Sequence, residues 1–182
     1  MKQMAFYFKA ERCVSCYACV TACSNENRDR VTQPFRSISS TLEHIFLSSS
    51  CHHCQSPECL RVCPKQAFSK ERDGAVKLNE QICDGCGLCA SACPFDAIVI
   101  RSRINGLKAV KCEMCPERRR NGTDPACVDA CPTGALLLSD LDSPPPLTKG
   151  SWQVPGMGEG MPEFTEPSMR ISMPKTKKRY FI

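Results

Sequence analysis

The sequence predicts a small α+β fold in which short β-hairpins and single-turn helices wrap around cysteine-held metal cores. Three observations carry that prediction. All sixteen cysteines fall into four quartets within the first 131 of 182 residues, which leaves little chain for a conventional apolar core. Each quartet opens with C-x2-C and closes with C-x3-C, a spacing that curls the backbone around a metal centre and then adds one helical turn. Between quartets stand short apolar runs broken by Asp73-Gly74 and Asn105-Gly106, dipeptides that fit hairpin turns.

Group one is Cys13, Cys16, Cys19 and Cys23; group two is Cys51, Cys54, Cys59 and Cys63; group three is Cys83, Cys86, Cys89 and Cys93; group four is Cys112, Cys115, Cys127 and Cys131. In group three the first three thiolates converge on one core, with Gly85 and Gly87 keeping the loop free of side-chain clash. Cys93 lies about one helical turn beyond Cys89 and can reach a different core, and Pro94 ends the turn. That pattern describes half of a two-cluster ferredoxin. Pro64, Pro94 and Pro132 follow the last cysteine in three groups, whereas Ser24 follows Cys23.

Two other uses of sixteen cysteines compete. Eight disulfides suit a secreted scaffold, but no segment near Met1 has the form of a signal peptide. Four zinc sites fit C-x2-C pairs, yet zinc favours two separated pairs over three clustered thiolates with an outlier. Iron–sulfur clusters account best for the spacing. The formal charge of +5 invites a nucleic-acid reading only if the cysteines stay neutral. Four oxidised 4Fe-4S cores, each about −2 with its thiolates, leave a mildly acidic protein of about −3. The lysines and arginines then balance buried cluster charge locally. No apolar run approaches the roughly 20 residues that cross a bilayer, so no direct membrane span is expected. Metal ligation must supply much of the folding free energy, and the metal-free chain should be mostly unfolded.

Taken in order, Ala5-Phe6-Tyr7-Phe8 is a strand feeding the first cysteine loop, and residues 18–27 suit a short helix carrying Cys19 and Cys23. Residues 28–50 are looser, Ser/Thr-rich at 37–41, with Ile45-Phe46-Leu47 as a strand and its serines solvated or bonded to loop amides. Residues 67–79 read as a hairpin with a tight primed turn at Asp73-Gly74. A second hairpin joins residues 97–100 to 107–110 through a turn at Asn105-Gly106. The eleven-residue gap of group four holds Arg118-Arg119-Arg120-Asn121-Gly122, an exposed basic loop that either faces solvent, balances cluster charge or docks an acidic partner. Ala135-Leu136-Leu137-Leu138 leads out of the last quartet. From Asp140 the composition turns Pro- and Gly-rich, which excludes a packed domain and suits an extended tail along a partner or along the chain's own surface. Its basic end, residues 175–182, is either an acidic-surface contact or a frayed terminus. His52 and His53, inside the group-two loop, hydrogen-bond or pack near sulfur rather than replace a ligand, because that loop already has four cysteines. His44 has no metal-like context. No nucleophile–base pair or phosphate loop is evident, so no catalytic residue is assigned.

The four quartets in this order, the lead-in Ser-Cys-His-His-Cys-Gln-Ser-Pro-Glu-Cys at residues 50–59 and the Asp-Gly hairpin before group three resemble the electron-transfer iron–sulfur subunits of the dimethyl sulfoxide reductase family. The resemblance covers residues 5–138, and Met161-Pro162-Glu163-Phe164-Thr165-Glu166-Pro167 is similar to the Pro-rich tail of those subunits. It implies two nested ferredoxin-like halves, an outer one of residues 1–30 with 104–139 and an inner one of residues 45–103, followed by a docking tail of residues 140–182. It also implies four 4Fe-4S clusters with ligands exchanged between groups. One takes Cys13, Cys16, Cys19 and Cys131; a second takes Cys112, Cys115, Cys127 and Cys23. A third takes Cys51, Cys54, Cys59 and Cys93, and the fourth takes Cys83, Cys86, Cys89 and Cys63. The implied partners are a molybdenum or tungsten pterin-dependent catalytic subunit and a second redox partner, either a quinone-reactive membrane anchor or a flavoprotein. A cytoplasmic tungsten aldehyde oxidoreductase assembly and a free electron carrier remain alternatives. The implied location is cytoplasmic or membrane-associated through a partner, and periplasmic only with a signal-bearing subunit.

Overall fold

The computed structural model describes residues 3–30, 33–40, 45–147, 151–154 and 163–174. Strand β1 (Met4–Lys9) is the centre of a three-stranded sheet. Its Ala5-Phe6-Tyr7-Phe8 run is buried on both faces, which is why it is continuously apolar instead of alternating.

The remaining elements are short. They comprise α1 (Ala18–Glu26), β2 (Ser37–Ser40), β3 (Phe46–Ser49), α2 (Glu58–Arg61), β4 (Phe68–Lys70), β5 (Val76–Leu78), α3 (Leu88–Ser91), β6 (Ile98–Arg103), β7 (Gly106–Lys111), α4 (Pro116–Arg120), α5 (Ala126–Asp129), β8 (Leu136–Asp140) and β9 (Arg170–Ser172). In the central sheet, β8 pairs antiparallel with β1, Phe8 opposite Leu136, and β9 pairs parallel with it, Tyr7 opposite Arg170. The other strands form hairpins β2–β3, β4–β5 and β6–β7. Two packing pairs organise the helices, α1 against α5 and α2 against α3.

Both hairpin turns differ from expectation. Lys70 pairs with Val76, so five residues intervene. Asp73 keeps a negative φ while Gly74 takes +82°, and the amide of Gly74 donates to the Glu71 carbonyl at 2.9 Å. A primed turn needs positive φ at least at its first central residue, which Asp73 does not supply. In the second hairpin Arg103 pairs with Gly106, so the turn residues are Ile104-Asn105 and Gly106 opens the strand at φ +94°.

The basic stretch at 118–120 is not an exposed loop. Pro116 starts a helix there, as proline does at a first helical position. Arg118 pairs with Asp129 at 2.8 Å and Glu26 at 3.8 Å, Arg119 pairs with Asp73, and Arg120 extends outward. The tail holds a strand that composition concealed. Residues 163–174 lie on the chain's own body, with Pro167, Ser168, Met169 and Ile171 buried. Trp152 sets its ring edge-on to Tyr7 at 4.8 Å. His44, residues 155–162 and the basic end at 175–182 lie outside the described residues.

Candidate metal centre

Each cysteine loop is shaped by left-handed residues: Ser15 and Tyr17 in group one, His53 in group two, Gly85 and Gly87 in group three, Met114 and Cys115 in group four. Such turns aim consecutive amides inward and make an anion-binding concavity. Amides accordingly reach sulfur. Those of Gly85 and Ala109 donate to Cys83 Sγ at 3.4 Å, that of Met114 to Cys112 Sγ at 3.4 Å, and that of Ala67 to Cys63 Sγ at 3.3 Å. Gly85 is required by space as well as by φ, because a Cβ there would stand 2.3 Å from the Leu107 carbonyl oxygen.

All sixteen thiols are free. The fold groups them across the sequence quartets. A small cavity is lined by Cys51, Cys54, Cys59 and Cys93, closed by His52, Phe95 and Thr165. Another is lined by Cys23, Cys112, Cys115 and Cys127, with Arg36 and Phe6 in its wall. Burial raises the Cys54 and Cys59 thiols to about 12, and Cys51 and Cys93 beside them add to the shift. Burial likewise raises Cys115 to about 11, with Cys127 and Cys23 contributing after a lowering amide of Ala126. The other eight cysteines are grouped less completely. Burial raises Cys89 to about 11, and Cys83, Cys63 and Cys86 add to it. Cys19 is raised by burial and lowered by the Ser48 hydroxyl, with Cys127 and Cys131 among its charged neighbours. Cys131 alone falls below its ordinary value, because amides and the Thr133 hydroxyl outweigh its burial.

Buried thiols of this kind are protonated at neutral pH, and a positive iron–sulfur core would convert them to thiolates. All-sulfur donor sets and inward amides fit such a core. Among the described residues no three His, Cys, Asp or Glu side chains stand at single-ion spacing.

A model described as a 4Fe-4S dicluster domain matches residues 42–141, and one described as a 4Fe-4S binding domain matches residues 10–26. One relative is a component of the anaerobic dimethyl sulfoxide reductase of Haemophilus influenzae, 36% identical over 158 residues, which cover 78% of this sequence and 76% of that one. Another is the electron transfer subunit of a thiosulfate reductase of Salmonella typhi, 36% identical over 142 residues, with coverage of 72% and 73%. The protein belongs to the iron–sulfur subunits of the dimethyl sulfoxide reductase family. It is similar also to the putative electron transport protein YsaA of Escherichia coli, 36% identical over 141 residues, 73% of this sequence and 87% of that one.

As a member of that family the protein is a 4Fe-4S electron-transport subunit and not a catalytic one. No helix among the described residues is long and apolar enough to cross a membrane. The expected histidines take separate tasks. His53 Nδ1 accepts the Val76 amide at 3.0 Å, and His52 stacks on Phe95 at 3.9 Å. Burial, and then Arg36, lowers His52 to about 4. Sequence reasoning missed Arg36 and Lys111, both fully buried beside cysteines. A lone arginine ahead of a Ser-rich strand and a lysine preceding a cysteine gave no periodic signal.

Proposed function

We propose that the chain holds four 4Fe-4S clusters with the ligand sets named above and relays electrons between a pterin-dependent catalytic subunit and a second redox partner. The carrying observation is the pair of cavities, each lined by four cysteines of which three come from one group and one from another. The packing of α1 on α5 and of α2 on α3 supports exchange of the fourth ligand and the reading of an outer half and a nested inner half. Members of different proposed sets lie within electrostatic reach of one another, Cys19 of Cys127 and Cys112 of Cys51, which supports a chain of neighbouring centres. At the two ends stand the two exposed cysteines, Cys16 flanked by exposed Val14 and Tyr17, and Cys86 near exposed Ile82, Leu88 and Leu107. Buried middle sites and exposed apolar ends suit a wire with a partner at each terminus. The tail of residues 140–182 is the proposed docking segment, and parts of it, Trp152 and residues 163–174, lie on the chain's own body.

The test is ligand substitution in the loaded protein. Native protein should contain about sixteen iron and sixteen sulfide per chain. Cys93→Ser should remove the same reduced-state paramagnetic signal as Cys54→Ser, and Cys63→Ser the same signal as Cys86→Ser. If Cys93→Ser instead matches Cys86→Ser, the exchanged assignment fails. A second reading, a carrier without fixed partners, draws on the similarity to the putative electron transport protein, of which the match spans 87%. Co-purification from native cells with a pterin-containing protein separates the two.

A further inference from the structure

Two fully buried cations stand beside the cysteine groups, ion-paired to no carboxylate among the described residues. Arg36 is 1% exposed and lies in the wall of the cavity lined by Cys23, Cys112, Cys115 and Cys127. Its guanidinium donates to Ser48 Oγ at 3.0 Å and Ser50 Oγ at 2.9 Å and rests over the Phe6 ring at 4.7 Å. Having accepted from Arg36, the Ser48 hydroxyl has its own proton free for Cys19 Sγ, 3.6 Å away. Arg36 Nε has no acceptor among the described residues.

Lys111 is 0% exposed. Its Nζ donates to the Cys112 carbonyl at 2.7 Å and to the Val76 carbonyl. Cys112 lines one cavity and Val76 the other, so the ammonium is wedged in the partition between the two. Among the described residues neither cation forms an ion pair with a carboxylate. A buried charge without a counter-charge is strongly disfavoured, and carbonyls and hydroxyls compensate it only in part. The missing anion is the cluster on either side, each about −2 with its thiolates. By contrast Lys108, which donates to the Cys83 carbonyl of group three, is half-exposed and screened by water.

We infer that Arg36 and Lys111 are electrostatic tuning residues that hold the two central clusters at a higher reduction potential than their thiolates alone would give. Reduction adds one electron to a 2+ core and makes the site more negative, with no proton required. A fixed positive charge in a low-dielectric wall stabilises the reduced form more than the oxidised one. This inference rests on the four-cluster reading. Failure of that reading shows separately, as iron and sulfide below about sixteen in the native chain.

The experiment is an anaerobic redox titration of the loaded full-length chain, with dithionite as one-electron donor and the reduced clusters followed by electron paramagnetic resonance. In Arg36→Met and Lys111→Met, with four clusters retained, the ratio of reduced to oxidised centre at the native midpoint should fall about tenfold. That equals a shift of about −59 mV for one electron. Arg36→Lys, which keeps the charge, should stay near the native midpoint. Should Arg36→Met lose iron, Arg36→Gln and Lys111→Met read the same shift. Native midpoints in the neutral variants overturn the inference, as does a shift in Arg36→Lys as large as that in Arg36→Met. Loss of clusters in every neutral variant, with retention in Arg36→Lys, assigns the cations to assembly and overturns it too.

Discussion

Met169→Ala should unlatch the strap formed by residues 163–174. Three attachments hold that segment. Strand β9 lies parallel on β1. The amides of Gln55 and Ser56 donate to the Glu166 and Thr165 carbonyls at 2.8 and 3.1 Å. Ser168 donates its amide to the His52 carbonyl at 3.2 Å and its hydroxyl to the His53 carbonyl at 2.9 Å. Met169, 1% exposed, is the apolar anchor and belongs to the buried cluster of Phe6, Phe8 and Ile171. Truncating a fully buried methionine to alanine costs about 2 to 5 kcal/mol, and even the lower value raises the detached population about 30-fold. Because Thr165 closes the cavity lined by Cys51, Cys54, Cys59 and Cys93, detachment exposes that one cluster. The assay is air bleaching of the visible absorbance, with tryptic cleavage in the tail followed in parallel. About a quarter of the absorbance, one cluster of the proposed four, should bleach fast in Met169→Ala, and tail cleavage should accelerate with it. Bleaching identical to the native protein, or a uniform loss of all centres, would refute the reasoning.

Three further outcomes are expected. Gly85→Ala forces a Cβ against the Leu107 carbonyl at φ +73° and should destabilise the loaded protein by about 1 to 3 kcal/mol, read as a lowered midpoint in denaturant. Burial alone would raise the Asp73 carboxyl, but Arg119 outweighs it and holds it below the usual range; a depressed folded pKa gives stability above the ordinary value of about 3.9 that is lost as pH falls through the folded one. Asp73→Asn should therefore cost about 1 kcal/mol at neutral pH, kept small by partial exposure of the pair, and should flatten the acid limb of a stability–pH curve. Stripping the iron with a chelator should abolish most far-ultraviolet ellipticity, whereas retention of the native spectrum shows that the apolar core suffices.

Elements whose pattern is local were legible in the sequence. The buried β1 run, the α1 helix and the hairpin strands announce themselves through apolar content and spacing. The turns were misjudged because Asp-Gly and Asn-Gly fit several turn types, and the register of Lys70 with Val76 and Arg103 with Gly106 depends on strand pairing. Strand β9 is three residues inside a Pro-rich stretch, and only docking on β1 makes it a strand. The cysteines were legible as donors from spacing alone, but their grouping is tertiary: nothing local to Cys23 shows that it faces Cys112, Cys115 and Cys127. Arg36 was invisible for the same reason, since its role lies in burial that residues 33–40 do not encode.

The spacing of the proposed wire follows from helix geometry. Cys19 and Cys23 are four residues apart on α1, a rise of about 6 Å, and in the proposed assignment they serve different ligand sets. Cys127, on α5, and Cys131 repeat the arrangement in reverse, Cys127 joining Cys23's set and Cys131 joining Cys19's. On that assignment the packed helices staple two cores about one helical turn apart. Cys59 with Cys63 and Cys89 with Cys93 do the same around α2 and α3. Inside each proposed half, the hop distance then follows from covalent spacing and should tolerate changes in the surrounding loops. Between the proposed halves no helical turn is shared, and Cys112 lies within electrostatic reach of Cys51 near the partition that Lys111 occupies. Substitutions in that partition should therefore slow electron transfer between halves while leaving transfer inside each half intact.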